Sequence, residues 1–278
     1  MLEAAAALLV PAAGVAREHD TPGDWRIGLT PVILSDQAAF LQRWADYLQQ
    51  RLGAPVHFIV HNDYRRILDR LFDRDIDAAW VCGFPYVLYQ SQLELVATPL
   101  CRGTPTYQAY LITRPNSPIR GWEDLPHHVL AYADPLSNSG WLVAQEQLAR
   151  AGVSPNKLLK SFFAHGHRHV IEAVAVGLAD AGSVDGYVWD TLRAQGWAPA
   201  LATQVVWRSE PYGFPPLVML ASEPATRKAA LRNVLLSMAR DAQGRALLAE
   251  LMLDGFVQTS PELYGDIARL TRRHAPVR

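Results

Sequence analysis

Three short polar side chains in a row, Ser137, Asn138 and Ser139, stand between an Asp134-Pro135 turn and the apolar positions Trp141, Ala144, Leu148 and Ala151. Serine and asparagine are favoured helix N-caps, and the apolar residues behind them recur at helical spacing. The stretch from Ala133 to Gly152 therefore reads as a helix N-terminus. Such a terminus presents unpaired backbone N–H groups and a partial positive charge, so with hydroxyls beside it the segment can hold a phosphate-like anion without any lysine. An ordinary cap explains the same residues. The second polar cluster is "HGHRH", His165 to His169, at another predicted helix start. His167 there can hydrogen-bond an anion or cap its helix, and no Cys or carboxylate cluster accompanies the histidines to make a metal site. Ser139, His167 and Asp185 resemble a nucleophile, base and acid on paper. No G-x-S-x-G elbow surrounds the serine, and the chain is read as a protein without enzymatic activity or cofactor.

The elements that must position these groups alternate. "DWRIGLTPVI" reads as a strand, "DQAAFLQRWADYLQQRLG" as a helix with Phe40, Trp44, Leu48 and Leu52 on one face, and "APVHFIVH" as a strand. "NDYRRILDRLFDRD" is a helix capped by Asn and Asp, and "IDAAWVCG" is a buried strand running into the turn "GFPY". This β-α-β-α-β order predicts a doubly wound sheet whose carboxyl-end loops, carrying Thr30, Tyr64 and Cys82 to Tyr86, gather into a ligand crevice. After the polar, Pro-rich "RPNSPIRGWEDLP" the alternation resumes, which predicts a second, similar lobe. The expected division is residues 24–113 with 217–278 as lobe one and residues 114–216 as lobe two.

At 278 residues, half of them hydrophobic and 19% charged, with a net charge of −1, the composition is that of a soluble globular chain. It excludes a nucleic-acid binder and a disordered chain. Residues 1–23 are read as a leader remnant and arm: Ala4 to Ala16 is an uncharged, mostly apolar run ending in small residues, too short to span a bilayer and without the usual basic segment before it. Two cysteines, Cys82 and Cys101, do not make a disulfide framework; one bridge or two buried thiols are both open.

Six segments in order resemble the periplasmic phosphate/phosphite/phosphonate-binding proteins, the solute receptors of ABC importers. They are "GLTP", "NDYRRIL", "DIDAAWVCGFPYV", "TYQAYLI", "DPLSNSGWL" and "GHRHVIEAVAVGLADAGSVDGY", spread from about Asp24 to about Ala221. The resemblance implies two α/β lobes joined by two hinge strands, closing over an oxyanion in a periplasmic receptor, expected to be monomeric, that serves a permease. Carried over by position, Ser137, Asn138 and Ser139 grip the oxyanion, Tyr64 and Tyr107 face it from lobe one, and His167 matches a family histidine. Asp185 matches an aspartate that pairs with a ligand ammonium in amine-bearing phosphonate receptors, while its place before "GYVWDTL" also makes it a helix cap. Asn138 stands where the family usually has threonine, and Cys82-Gly83 and Pro85 depart from the family's Gly-Pro and serine. Tyr86 either packs or faces the ligand. A related branch serves arsenite sensing through a cleft cysteine, so a sensor that reports to a histidine kinase is the alternative.

Overall fold

The computed structural model describes residues 23–30 and 38–274; the apolar leader-like segment lies outside them. In chain order come β1 (Trp25–Leu29), α1 (Ala38–Leu52), β2 (Val56–Val60), α2 (Tyr64–Phe72), β3 (Ala78–Trp80), α3 (Gly83–Leu88) and β4 (Leu93–Leu100). β1 pairs in parallel with β2 on one side and β3 on the other, as the βαβαβ pattern requires. Strands covered on both faces need apolar residues on both, and β3 is buried throughout while β1 leaves only Arg26 part-exposed. α1 buries Phe40, Trp44, Tyr47 and Leu48 on one face. α2 begins where Asp63 Oδ1 accepts from the N–H groups of Arg65 at 2.8 Å and Arg66 at 3.4 Å, which sets Tyr64 in the first turn.

The chain crosses through β5 (Thr106–Tyr107) to a second sheet, built from β6 (Ala109–Thr113), β7 (Val129–Tyr132), β8 (Lys160–Phe163), β9 (Ala181–Asp185) and β10 (Gln204–Arg208). Helices α4 (Val143–Arg150), α5 (His167–Ala175), α6 (Gly186–Ala194) and α7 (Ala198–Leu201) lie between these strands in sequence. The return runs through β11 (Tyr212–Gly213) to β12 (Leu217–Leu220), α8 (Ala225–Ser237), α9 (Ala242–Glu250), β13 (Gly255–Val257) and α10 (Gly265–His274). The six-stranded sheet has the order β13-β4-β12-β3-β1-β2 and the five-stranded sheet β10-β6-β9-β7-β8. β5 and β11 pair with each other, Tyr107 opposite Tyr212.

The first crossing differs from the sequence expectation. Ala109–Thr113, expected in lobe one, pairs with β9 and β10 inside the five-stranded sheet, and all five of its residues are buried. A pentapeptide buried on both faces belongs in a central strand, so the chain changes sheets before it, at Thr106–Tyr107. β13 was also not expected among the C-terminal helices; it pairs with β4 and covers that edge.

The carboxyl ends of β1, β2 and β3 lead to Thr30, Tyr64 and Cys82, and those of β7, β8 and β9 to Asp134, His167 and Asp185. The two edges meet across one cleft. The chain enters α4 through a wider turn over Asn138–Leu142, with the Leu142 N–H bonded to the Ser137 carbonyl at 3.0 Å. Gly140 makes this turn possible. A Cβ there would lie 2.4 Å from the Ala133 Cβ and 2.9 Å from Ser137 Oγ. Gly140→Ala is expected to cost about 1–3 kcal/mol through overpacking, read as a lower urea midpoint at unchanged slope.

Candidate functional site

Ser137, Asn138 and Ser139 are fully buried at the start of this turn. Ser137 Oγ accepts from the Gly140 N–H at 2.9 Å, and Ser183 Oγ donates to the Ser139 carbonyl at 2.7 Å, so both ends of the tripeptide are fixed to their own lobe. Across the cleft, the Asn138 N–H donates to Cys82 Sγ at 3.2 Å and its Nδ2 to Tyr107 Oη at 3.0 Å. Two atoms are left over. Asn138 Oδ1 and Ser139 Oγ are buried without a hydrogen-bond partner. Buried polar atoms are almost always paired, so two orphans side by side at a helix start mark a place built for something else to complete.

His167 supplies a third group. It is fully buried, and burial pushes its pKa down to about 3, so the ring is neutral. The Asp185 backbone N–H donates to Nδ1 at 3.1 Å, and since a backbone amide can only donate, Nδ1 carries no proton. The proton therefore sits on Nε2, which lies 3.4 Å from Tyr64 Oη and 3.5 Å from Ser137 Oγ. Burial raises the phenols of Tyr64 and Tyr107 well above 10, so both stay protonated and able to donate. It also raises the Cys82 thiol to about 11, against the opposing effect of the Asn138 and Phe84 N–H groups.

Asp185 caps α6: Oδ1 accepts from the N–H groups of Tyr187 at 2.8 Å and Val188 at 3.3 Å. Desolvation nevertheless raises it to about 8, the two N–H groups opposing and Asp190 adding to the shift. Among the described residues the one buried cation is Lys228, which pairs with Glu94 elsewhere. The cleft is thus lined by neutral donors, a helix start and a carboxyl group inclined to hold its proton. Such an arrangement can bind a small anion by hydrogen bonds alone.

The structure brings Ser137, Asn138, Ser139, Tyr64, Tyr107, His167, Asp185 and Cys82 to this one place. Thr30 has a partner within its own sheet, and Tyr86 takes the packing alternative. Thr30 Oγ1 donates to the Trp80 carbonyl at 3.0 Å, tying the end of β1 to β3. Tyr86 packs edge-on against Tyr264, 4.8 Å between ring centres, because α3 turns that face toward α10. Cys82 and Cys101 are free thiols. Sequence reading missed Asp134, whose Oδ1 accepts from the Leu136 N–H at 2.7 Å and whose Oδ2 lies 3.5 Å from the Tyr64 N–H across the cleft. An Asp-Pro pair directly before a cap was the available signal. Beside the cradle a groove of about 650 Å³ is lined by Asp63, Arg65, Phe84, Asp134, Trp141 and His165 from both lobes.

Residues 27–264 match the family described as ABC transporter, phosphonate, periplasmic substrate-binding protein. The chain is 27% identical over 191 residues to the phosphate-import protein PhnD of Mycolicibacterium smegmatis, covering 63% of this chain and 59% of that protein. It is 24% identical over 220 residues to the phosphonates-binding periplasmic protein of Escherichia coli, covering 75% of this chain and 65% of that one. The matches thus span a little under two thirds of these relatives' own lengths. In fold it is similar to PhnD1 of Prochlorococcus marinus, solved in complex with methylphosphonate, with a TM-score of 0.80 at 18% identity over 91% of this chain and 98% of that one. A binding protein component of an ABC phosphonate transporter from Pseudomonas aeruginosa superposes with a TM-score of 0.79 at 21% identity over 89% and 85%.

Proposed function

The chain belongs to the phosphonate family of periplasmic substrate-binding proteins of ABC transporters, and on that premise we propose that it is an exported receptor that captures a small tetrahedral oxyanion for an importer's permease. The ligand class is phosphonate, phosphite or phosphate. The observation that carries the reading is the pair of orphaned buried atoms, Asn138 Oδ1 and Ser139 Oγ, at a helix start between two sheets. A tetrahedral oxyanion has the oxygens to engage Ser139, Ser137, the Tyr64 and Tyr107 phenols and His167 Nε2–H together.

The cradle is completed by both lobes, so the ligand reaches all its partners only when they are together. Its affinity for the closed state then shifts the balance toward closure, with β5 and β11 as the two strands about which the lobes move. Hydrolysis finds no support in the geometry. His167 Nε2 already holds a proton, so it cannot take one from Ser137, and Ser139 has no base beside it. The arsenite-sensing alternative is not favoured: the Cys82 sulfur is a protonated thiol already engaged by the Asn138 N–H.

Titration calorimetry with methylphosphonate, phosphite, phosphate and sulfate tests the ligand class, and melting and solution scattering test closure. A ligand at a hundred times its Kd adds about 2.7 kcal/mol, which for a chain of this size raises Tm by about 5 °C. The radius of gyration should fall on binding. Stabilisation without compaction would remove the closure mechanism, and no heat with any phosphorus oxyanion would remove the reading itself.

A further inference from the structure

The cradle's donors and acceptors are not all interchangeable. The hydroxyls of Ser137, Ser139, Tyr64 and Tyr107 can rotate to donate or accept, whereas an amide oxygen only accepts. Asn138 Oδ1 is that atom. It is fully buried and has no partner, and it faces the cradle while Nδ2 of the same amide is on Tyr107 Oη at 3.0 Å and the residue's own N–H on Cys82 Sγ at 3.2 Å. Whatever fills the cleft must offer it a proton, or a buried acceptor stays unpaired in the bound state.

The charges around it point the same way. The titratable groups of the cradle itself are Tyr64 from α2, Cys82 from the turn before α3, Tyr107 from β5, His167 from α5 and Asp185 at the end of β9. None of these is a cation and one is a carboxyl; Asp63, Arg65, Asp134 and His165 line the groove beside it. A ligand with more negative charge than the hydroxyls and helix start can compensate is penalised, while one that keeps an acidic proton is not.

We propose that Asn138 makes the cleft read ligand protonation: Oδ1 accepts the P–OH of a protonated phosphorus oxyanion, and an isosteric anion that lacks an O–H is rejected. This rests on the oxyanion reading of the cradle. The opposite amide orientation, with Oδ1 on the Tyr107 hydroxyl and Nδ2 facing the ligand, would present a donor here and remove the preference.

The test is calorimetry on the full chain at pH 6.5 with methylphosphonate and methanesulfonate, which match in shape and, when the former is monoprotonated, in charge. Methylphosphonate is expected to bind at least tenfold more tightly. In Asn138→Ser, whose hydroxyl can turn to donate, the two ligands should come within threefold of each other, mainly by a gain for methanesulfonate. Phosphate against sulfate on the unmodified protein, run at pH 8 where both are chiefly dianions, one with an O–H and one without, repeats the comparison and does not depend on the variant folding. Wild-type affinities within threefold in both pairs, or discrimination that survives in a folded Asn138→Ser protein, would overturn the proposal while leaving the oxyanion receptor intact. Failure of methylphosphonate, phosphite and phosphate alike to bind would overturn both.

Discussion

Ser139→Ala is expected to weaken methylphosphonate binding by about ten- to a hundredfold while leaving the ligand-free protein as stable as before, or more so. The two halves have one cause. Ser139 Oγ is buried without a hydrogen-bond partner, so deleting it removes a desolvated hydroxyl with no hydrogen bond to lose. With the oxyanion bound, the same oxygen gains a hydrogen bond to a charged acceptor, worth about 1.5–3 kcal/mol. A residue that only capped its helix would behave in the opposite way, lowering Tm and leaving affinity alone. Calorimetry and melting on one preparation separate the outcomes, and an unchanged Kd would return the segment to a plain cap.

The second large effect is on stability against pH, and it follows from two buried groups of opposite sign. Asp185 sits at about 8 in the folded protein against an ordinary value of about 4. Between those limits the native state holds a proton the unfolded chain has lost, so stability falls as pH rises. His167 sits at about 3 against about 6.5, and over that window the unfolded chain holds the extra proton, so stability rises with pH. From about pH 4 to 6.5 the two slopes cancel. Above 6.5 the Asp185 slope outweighs that of His167, and the protein should lose about 1–1.5 kcal/mol by pH 8.

Asp185→Asn keeps an amide oxygen to cap α6 and removes the titration. The loss between pH 6.5 and 8, read by urea unfolding, should largely vanish. Asp134 is raised in the same direction by burial and is unchanged in this variant. An undiminished decline in the variant would show that Asp185 is ionised in the native state and that its burial is relieved by something other than a retained proton.

Sequence alone determined the kind of fold and the material of the site. The βαβ alternation, the Asp63 cap before Tyr64 and the Ser-Asn-Ser cap before α4 are local signals, written in residues a few positions apart, and each element formed where its periodicity and caps required. The family resemblance came from six motifs in order along the chain. Tertiary structure decided what those local signals could not contain. Whether Asp185 is a free carboxylate or a cap inclined to hold its proton depends on how much of the second sheet and α6 covers it, not on its neighbours in sequence. That His167 is a neutral Nε2–H donor is fixed by an amide 18 residues away. The sheet to which Ala109–Thr113 belongs was settled by its partners β9 and β10, more than 65 residues further along the chain. Thr30 and Tyr86 sit at loop ends that sequence marks as crevice-lining, yet the Trp80 carbonyl and the Tyr264 ring claim them first. Desolvation and pairing at a distance are sums over the whole packed molecule. The spacing of residues can therefore nominate a cradle, but only packing leaves Asn138 Oδ1 and Ser139 Oγ as the two buried atoms in it without partners.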